Sequence, residues 1–473
     1  MSKTVYEFMS ILQTRDSSDS ENRTDSINYP SVLEHVRASV ALHHATELAA
    51  ALDNEESAVN LKELISRYIA EFLVGIEFNL DYLTNKVYED MAGMGVLTKY
   101  LQDPTVEEIN INGYRTIEII TTEGTSYLLN ENAFPSPEVA IALTKRMVRM
   151  GGMLLDAQTP RVDSYIGSGT RISAMIPPLI PKETGVAVSI RKQIKSQITR
   201  EQLVKAKSVT NDMLDFILIC VCYGISECLV GSTSSGKTTL LAYVIKEYIL
   251  NNDDYNNRVY IVEDSRELNL VEYDEKHNRP ARVIYTVTKK PPNPVTMHDL
   301  IITALRFDPK LIVPAEIREG DACFAAMSAA QTGHNTLTSA HAESAVDAYD
   351  RFVGLCRMYN GNIPTEQLFE MCIKAWPIMI FQKKLKDNTR KVMEIFEATG
   401  YKNGEVQGQM IYQFEVDWTE RDVCGNILKV HGEHRKVGTI SDKLYKKLRN
   451  NGAAFEVLDR LFPEKTERKE LVS

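Results

Sequence analysis

The stretch GSTSSGKT, residues 231–238, constrains the fold of this chain more than any other part of the sequence. It satisfies the pattern G-x-x-x-x-G-K-[ST] and stands between a predicted strand, ECLV, and a predicted helix, the context that this pattern requires. Its glycines let backbone N–H groups turn onto phosphate oxygens at the N-terminus of the helix. Lys237 would reach the β- and γ-phosphates, and the Thr238 hydroxyl would hold Mg²⁺. The predicted phosphate-binding residues are Gly231, Ser232, Thr233, Ser234, Ser235, Gly236, Lys237, Thr238 and Thr239.

The second half of the chain alternates strand-like segments (ECLV, RVYIVEDS, RVIYTV, KLIVPAE, NTLTSAH) with helical patterns. Such alternation is typical of a mostly parallel sheet covered on both faces, whose ligands gather outside the carboxyl ends of the strands. Glu263 and Glu316 each directly follow an apolar run, and His341 follows NTLTSA. We therefore expect these three residues at the edge that carries the phosphate loop. The alternative, carboxylates in helix caps or solvated turns, suits Asp264 and Asp321 better.

The segment QTGHNTLTSAHAESA places His334 and His341 seven residues apart. In one continuous helix the two would share a face, as a metal pair or two core residues would. In a turn–strand–helix arrangement, His341 stands at a strand end, where a neutral imidazole can hydrogen-bond a γ-phosphate or a polarised water and respond to hydrolysis. A metal site is disfavoured because no third ligand has matching spacing. A histidine that only caps the following helix stays open as an alternative.

Changes in composition and in the periodicity of apolar residues divide the chain into six parts. The first part is polar, the second has apolar residues at helical spacing, and the third alternates like strands around one helix. The predicted parts are 1–30 (disordered tail), 31–98 (helical region), 99–193 (α+β domain), 194–209 (linker), 210–376 (α/β domain) and 377–473 (strand hairpins and two short helices).

Local signals predict several element ends within these parts. Ser136 and Pro137 are typical of a helix start, and Thr199 with Gln202 forms a capping-box pattern. Glu123-Gly124 indicates a turn between strands, and the glycines of residues 167–169 indicate a hairpin.

Composition narrows the classes of function. The net charge of −10 argues against nucleic acid or anionic lipid as the main partner. Seven cysteines, scattered along 473 residues, indicate no disulfide framework and favour a reducing compartment. The N-terminus lacks the pattern of a secretion signal, and no apolar run approaches the ~20 residues of a membrane span. We expect a cytoplasmic protein that would work at a membrane only by docking to a partner there.

The phosphate loop is accompanied by VEDSREL, LRFDPKLIVPAEIREGDA and TGHNTLTSAHA, and is preceded by GTRISAMIPP and VSIRK. The chain resembles the type II/type IV secretion ATPases in these motifs and in their order, over about residues 100 to 460. The resemblance is greatest to the CpaF/TadA-type pilus-assembly branch. The resemblance implies an α/β fold. A RecA-like P-loop domain with a mostly parallel sheet would be preceded by an α+β (PAS-like) N-terminal domain and a helical N-terminal extension. It also implies homohexameric rings that bind ATP and Mg²⁺.

The resemblance implies roles for individual residues. VEDSREL corresponds to an acidic box, with Glu263 and Glu267 as its main carboxylates. Glu316 corresponds to the Walker B glutamate, followed by Arg318, and would orient Mg²⁺ or water. Glu263 would activate the attacking water. His341 belongs to a histidine box that begins at TGH. It would hydrogen-bond the γ-phosphate and respond to its loss on hydrolysis.

Arginines ahead of the P-loop domain complete the implied site. Arg171 and Arg191 match positions at which this family's N-terminal domain supplies arginines to a bound γ-phosphate, and guanidinium charge suits phosphoryl transfer. As an alternative, Arg161 and Arg191 could form ordinary surface ion pairs, and for Arg161 we favour that interpretation.

The chain departs from the family pattern around the Walker B strand. Ala315 precedes Glu316 where glycine is usual, Glu319 stands where glycine commonly follows the arginine, and Asp321 replaces glutamate. The loop after His334 is one residue shorter than in typical CpaF members. The paired-cysteine zinc module of many type II secretion ATPases is absent. These changes could lower turnover, but every group that handles phosphate is present, so we expect an active enzyme.

The sequence thus predicts a hexameric ATPase, docked at the inner face of the cell membrane, that powers assembly of a Tad-type pilus or a related secretion or conjugation apparatus. Its partner would be an integral-membrane platform protein. Two rivals remain. A RecA-like DNA translocase or helicase is disfavoured by the acidic charge and by the lack of a basic stripe with aromatic residues. A non-hydrolysing nucleotide-binding switch gains weight from Ala315 and Glu319.

Overall fold

The computed structural model describes residues 28–44, 47, 55–91, 95–122, 125–129, 134, 136–166, 170–192, 198–251, 258–268, 270, 272–275, 278–289 and 293–465. The chain forms two compact units, Met1–Lys192 and Gln193–Ser473. Three predicted segments lie wholly or partly outside the described residues. They are positions 1–27 of the predicted disordered tail, the predicted turns at Glu123-Gly124 and at residues 167–169, and positions 194–197 of the predicted linker.

The first unit begins with three helices, α1 (Tyr29–His43), α2 (Glu55–Phe72) and α3 (Leu80–Met91). Apolar residues at spacings of three and four line one face of each helix and are fully buried where the helices meet, as Val36, Ile65 and Val87 illustrate. Helices therefore occupy most of the described residues between 31 and 91. A hydrogen bond of 2.6 Å from Arg146 Nη1 to the carbonyl of Met91 ties the end of α3 to a helix of the following α+β part.

A six-stranded, wholly antiparallel sheet forms the rest of the first unit. Its order is β3-β2-β1-β6-β5-β4, and one face packs on α5, which starts at the predicted Ser136 cap. The elements are the 3-10 turn Gly95–Leu97, α4 (Thr98–Gln102), β1 (Val106–Asn112), β2 (Ile117–Thr121), β3 (Ser126–Leu128), α5 (Pro137–Met150), β4 (Arg161–Ile166), β5 (Thr170–Met175) and β6 (Ala187–Lys192).

The second unit is built on a nine-stranded sheet of order β11-β8-β12-β13-β7-β14-β15-β16-β17. The first six strands are parallel and the last three are antiparallel, so the mostly parallel sheet predicted from the alternation is confirmed. Its strands are β7 (Glu227–Val230), β8 (Val259–Glu263), β11 (Val283–Val287), β12 (Leu311–Pro314), β13 (Asn335–Ala340), β14 (Ile378–Lys384), β15 (Arg390–Lys402), β16 (Glu405–Arg421) and β17 (Ile427–Lys436); a separate ribbon contains β9 (Tyr273–Asp274) and β10 (Arg279–Pro280).

Helices cover both faces of this sheet. One core contains α7, α8, α13 and α14, and the other contains α9, α10, α11 and α12. The helices of the unit are α6 (Arg200–Lys205), α7 (Asn211–Cys222), α8 (Lys237–Asn251), α9 (Met297–Ala304), α10 (Gly320–Gln331), α11 (Asp347–Tyr359), α12 (Thr365–Ala375), α13 (Asp442–Asn450) and α14 (Phe455–Leu461). The predicted capping box of Thr199 and Gln202 is present at α6. Within the described residues, no helix combines the length and the apolar character that a membrane crossing needs.

The sheet does not end at Trp376, where the sequence suggested a division. β14 pairs in parallel with β7, directly beside the strand that leads into the phosphate loop, and β15 to β17 extend the sheet from there. Trp376 is fully buried, and its Nε1 donates to Thr336 Oγ1 at 3.0 Å. The strands after residue 376 therefore belong to the same sheet as β7, the strand that precedes the phosphate loop, and β14 lies beside that loop.

Candidate active site

The loop that the sequence predicts to bind phosphate, called the phosphate loop, spans residues 231–236 between β7 and α8, and the predicted segment continues into the first turn of α8. Gly231 and Gly236 have φ values of +154° and +95°, and Ser234 at the top of the loop has φ +59°, in the left-handed region. A Cβ on Gly231 would lie 1.9 Å from the carbonyl oxygen of Gln382 on β14. Because that contact is with backbone, only glycine fits at position 231.

Lys237, the first residue of α8, is 7% exposed and points its ammonium group into the loop. Its Nζ donates hydrogen bonds to the carbonyls of Gly231 at 2.9 Å and Ser232 at 2.8 Å. The hydroxyl of Ser235 is buried without a hydrogen-bond partner among the described residues. A buried cation, an unpaired hydroxyl and the N-terminus of a 15-residue helix together suit an anionic group such as a phosphate.

Glu316, Arg318 and His341 meet at the carboxyl ends of the neighbouring strands β12 and β13. Arg318 Nη2 donates to Glu316 Oε2 at 2.6 Å. The other carboxylate oxygen, Glu316 Oε1, lies 2.7 Å from His341 Nε2 and is buried, yet accepts no well-aligned hydrogen bond within the described part of the chain. One oxygen of this carboxylate is therefore fixed by arginine, and the other keeps its capacity to accept.

The charges around Glu316 keep it ionised. Burial by itself would raise the pKa of its carboxyl group, but the hydrogen bond from Arg318 and the electrostatic effects of Arg318, His341 and Lys237 lower the pKa below its ordinary value. The carboxylate is consequently a weak base at neutral pH and a good partner for a cation or for the hydrogens of a water molecule.

His341 directly follows β13, so the turn–strand–helix interpretation is correct and the single-helix alternative is wrong. His334 lies at the opposite end of that strand, where its Nδ1 is 3.3 Å from Thr332 Oγ1. His341 Nδ1 lies 3.1 Å from the carbonyl oxygen of Gly231, an acceptor, so Nδ1 carries a hydrogen in this contact. The imidazole thus bridges the phosphate loop and Glu316.

Glu263 ends β8, but its side chain turns into the loop that follows. Its Oε1 accepts hydrogen bonds of 2.9 Å from the backbone N–H groups of Glu267 and Leu268. Burial raises the pKa of its carboxyl group to about 7, although these two hydrogen bonds act in the opposite direction. Glu263 therefore anchors the acidic loop. Glu267, in that loop, lies close enough to Arg318 that its negative charge helps raise the pKa of the guanidinium, after the larger effect of the hydrogen bond to Glu316.

Arg171 and Arg191 lie in the first unit, directly opposite each other on β5 and β6. Both are on the sheet face that faces away from the apolar core, and Arg191 Nη2 is 3.8 Å from Glu107 Oε1. Arg161, on β4, is 3.9 Å from Asp163, which agrees with the ion pair expected for it. The second unit alone brings together Lys237, Glu316, Arg318, His341 and the acidic loop; the arginines belong to the other unit.

Two residues at the phosphate loop escaped the sequence prediction. Gln382 on β14 and Arg390 on β15 both contact the loop, and Arg390 Nε donates to the carbonyl of Ser234 at 3.0 Å. They lie about 150 residues beyond the loop and carry no recognisable motif. The only signal was the basic run KKLKDNTRK around them.

The oxygen groups at this site fit Mg²⁺. Nowhere in the described residues do three or more His, Cys, Asp or Glu side chains cluster so as to hold a metal by themselves. Mg²⁺ commonly takes one or two protein oxygens and completes its shell with water and substrate phosphate. Such oxygens are present in Glu316 Oε1, which accepts no well-aligned hydrogen bond within the described residues, and in the hydroxyl of Thr238, in the first turn of α8.

A family model described as type II/IV secretion system protein matches residues 92–382. The uncharacterized protein MJ0900 of Methanocaldococcus jannaschii is 27% identical over 336 residues, which cover 69% of this chain and 56% of that protein. Protein VirB11 of Agrobacterium fabrum is 23% identical over a match that covers 67% of this chain and 96% of VirB11. The crystal structure of the VirB11 ATPase from the Brucella suis type IV secretion system, with sulphate, is 21% identical over 64% of this chain and 93% of its own, with a TM-score of 0.34. The chain spans only 56% and 37% of the length of the two M. jannaschii proteins that it matches.

Proposed function

The chain belongs to the type II/IV secretion system protein family, and from this premise we propose that it hydrolyses Mg²⁺-ATP to drive a secretion or pilus-assembly machine. The observation that carries the proposal is the continuous set of contacts from Lys237 through the Gly231 carbonyl and His341 to Glu316 and Arg318. These contacts join the predicted phosphate-binding loop to the predicted Walker B carboxylate within one unit.

Each residue of this set has a distinct task in the proposed reaction. The Lys237 ammonium exchanges its two carbonyl partners for phosphate oxygens, while the N–H groups of the loop bind the same phosphates. Thr238 and Glu316 would hold Mg²⁺, which shields phosphate charge during transfer. Arg318 fixes one oxygen of Glu316, and His341 responds to the γ-phosphate through its contacts with Gly231 and Glu316.

Glu263 is our candidate for accepting the proton of the attacking water. A general base works best when its pKa lies near the working pH, and burial raises the pKa of Glu263 to about 7. Its Oε1 is occupied by the N–H groups of Glu267 and Leu268, so the other oxygen would take the proton.

The finer parts of the proposal concern assembly. By resemblance the protein would form a homohexamer whose α+β domain, PAS-like by the same resemblance, supplies Arg171 and Arg191 to the γ-phosphate. The output would be a Tad-type pilus or a related secretion or conjugation apparatus, reached through an integral-membrane platform protein at the inner face of the cell membrane. The net charge of −10 supports a partner other than nucleic acid.

The ATPase rate per subunit, measured over a range of protein concentrations, tests this function. Lys237→Ala should abolish turnover, whereas Lys246→Ala, a charge change further along the same helix, should leave it intact. A rate that rises steeply with concentration is expected if subunits complete one another's sites. A flat rate would contradict the shared arginines. ATP binding without turnover would contradict hydrolysis and favour a switch, and strong stimulation by DNA would favour a translocase.

A further inference from the structure

The hairpin formed by β14 and β15 packs directly on the phosphate loop. The backbone carbonyl of Gln382 lies against Gly231, and the side-chain amide of Gln382 lies against Gly236. A Cβ added to Gly236 would lie 2.9 Å from Gln382 Nε2 and 3.1 Å from Arg390 Cδ. The pairing of the two strands shifts register here: Phe381 lies opposite Glu394 and Gln382 opposite Val392, so the extra residue, Met393, is on β15.

Arg390 holds the top of the phosphate loop. Its Nε donates to the carbonyl oxygen of Ser234 at 3.0 Å. Ser234 has φ +59°, a left-handed conformation that is unfavourable for residues with a side chain, so this part of the loop needs support from its surroundings. The hydrogen bond comes from a charged donor, which makes it stronger than a bond between neutral groups.

Two buried polar atoms at the same place lack partners within the described residues. The side-chain oxygen of Gln382, which is 3% exposed, and the hydroxyl of Ser235, which is fully buried, accept no hydrogen bond. Leaving such groups unpaired is costly. The two atoms lie beside the loop, so a polar group bound there would find hydrogen-bonding partners on Gln382 and Ser235.

We propose that Arg390, with Gln382 beside it, is a positioning residue for the nucleotide. Through the Ser234 carbonyl it holds the phosphate loop in the shape that presents its backbone N–H groups to the phosphates of a nucleoside triphosphate. This inference rests on the proposed nucleotide function and adds a residue outside the P-loop motif to that site. Arg390 acts on the loop, not on the reacting atoms, so its loss weakens nucleotide binding and leaves the chemical step nearly unchanged.

Three substitutions at position 390 separate the hydrogen bond from the charge. Arg390→Gln places an N–H donor at the position of Nε and removes the charge. Arg390→Lys keeps the charge but has a methylene at that position. Arg390→Met removes both. Lys386→Met, in the exposed turn of the same hairpin, is the matched control for loss of a positive charge.

The readouts are binding of fluorescent ATP and ADP analogues, and KM and kcat for ATP, on the full chain. We expect Arg390→Met and Arg390→Lys to raise KM and the analogue Kd by about tenfold, and Arg390→Gln and Lys386→Met by about twofold or less, with kcat nearly constant. Position 390 is partly exposed, so Gln and Lys should both fold, and these two decide the test even if Met does not.

Several outcomes would overturn the inference. Normal binding by Arg390→Lys together with weak binding by Arg390→Gln would show that the charge matters and the hydrogen bond does not. Equal KM in all variants would exclude a positioning role, and a fall in kcat at unchanged KM would make Arg390 part of the chemistry instead. If wild type and Lys386→Met bind no nucleotide, the proposed function itself fails; if they bind and Arg390→Met binds equally well, only this inference fails.

Discussion

The two sheets of this protein carry their charged residues in different places. In the six-stranded antiparallel sheet, one face is apolar and the other is polar, so Arg171 and Arg191 stand side by side on a face. In the parallel part of the nine-stranded sheet both faces are buried, and the polar residues lie at the carboxyl ends of the strands. There Glu316 and His341 lie close to Lys237, although Glu316 follows Lys237 by 79 residues in sequence and His341 follows it by 104.

The difference shows how each topology can build a site. A parallel sheet gathers residues from distant segments at one edge, because every strand ends on the same side. The antiparallel sheet of this protein instead presents Arg171 and Arg191 on its polar face. The edge of the nine-stranded sheet thus gathers its charged groups within one unit, whereas the arginine pair lies in the other unit.

The largest expected effect tests the edge of the nine-stranded sheet. Glu316→Gln should lower kcat at least about 100-fold, because an amide loses the charge that holds Mg²⁺ or orients water. ATP binding should change only a few-fold, since Lys237 and the loop remain. Steady-state phosphate release and nucleotide binding measure the two quantities. Glu343→Gln, which changes an exposed carboxylate in the segment after His341, is the control and should keep normal turnover. If Glu316→Gln also kept normal turnover, Glu316 would not belong to the active site.

A second prediction tests whether the arginine face works on that edge. Arg171→Ala or Arg191→Ala should each lower kcat by about 10- to 100-fold, because guanidinium charge stabilises a transferring phosphate and the other arginine of the pair remains in each variant. Arg161→Ala should have no comparable effect, because that side chain is exposed and lies beside Asp163.

Mixing experiments extend this prediction to the assembly. Chains with Arg171→Ala and chains with Lys237→Ala should regain activity when mixed, if each subunit's arginines serve its neighbour. If the mixtures stay as inactive as the separate variants, the arginines do not serve a neighbouring subunit. They would then either act on the phosphate loop of their own chain or take no part in the site.

A third prediction concerns Glu263 and the pH dependence of stability. Its pKa is about 7 in the folded protein and 4.5 ordinarily, so between these values the folded state binds more protons than the unfolded state. The free energy of unfolding should therefore fall as pH rises from 4.5 to 7, by about 3 kcal/mol at most. Glu263→Gln should remove this decline, so that its Tm exceeds that of wild type by a few degrees at pH 8 and not at pH 4.5.

Thermal unfolding over this pH range, with Glu319→Gln as control, measures the difference. Gln at 263 keeps the acceptor for the N–H groups of Glu267 and Leu268, so the comparison isolates the titration. Parallel pH curves for wild type and Glu263→Gln would show that this carboxyl group does not retain its proton.

The smallest expected effect separates the two units. Ser136 caps α5 by accepting a hydrogen bond from the N–H of Val139, and loss of such a cap costs about 1 kcal/mol. Ser136→Ala should lower the unfolding temperature of the first unit and leave nucleotide binding by the second unit unchanged. Calorimetry with and without ATP analogue measures both. A common shift of all transitions would mean that the units unfold together.

Much of the second unit, and one helix cap in the first unit, were predictable because the signals are local. The phosphate loop, the strands that precede Glu263 and Glu316, and the caps at Ser136 and Thr199 each depend on residues within a few positions of one another. The strand interpretation of NTLTSA was likewise available from its length and neighbours, although periodicity alone left a helix open.

Other features depend on contacts between distant segments and had no local signal. The pairing of β14 with β7 brings Gln382 and Arg390 to the phosphate loop, and nothing near position 390 marks it as part of a site. Glu263 is correctly placed at a strand end, but its hydrogen bonds to the next loop follow from the path of the chain after the strand.

The sequence by itself determined the phosphate loop, the alternation typical of the parallel part of the second sheet, and the identity of the charged groups at the edge of that sheet. The tertiary structure decided which of these groups touch: that His341 bridges Gly231 and Glu316, and that Arg390 supports Ser234. The reason is physical. Local conformation follows from neighbouring residues, whereas contacts across more than 100 residues exist only once the strands have paired and the core has fixed their register.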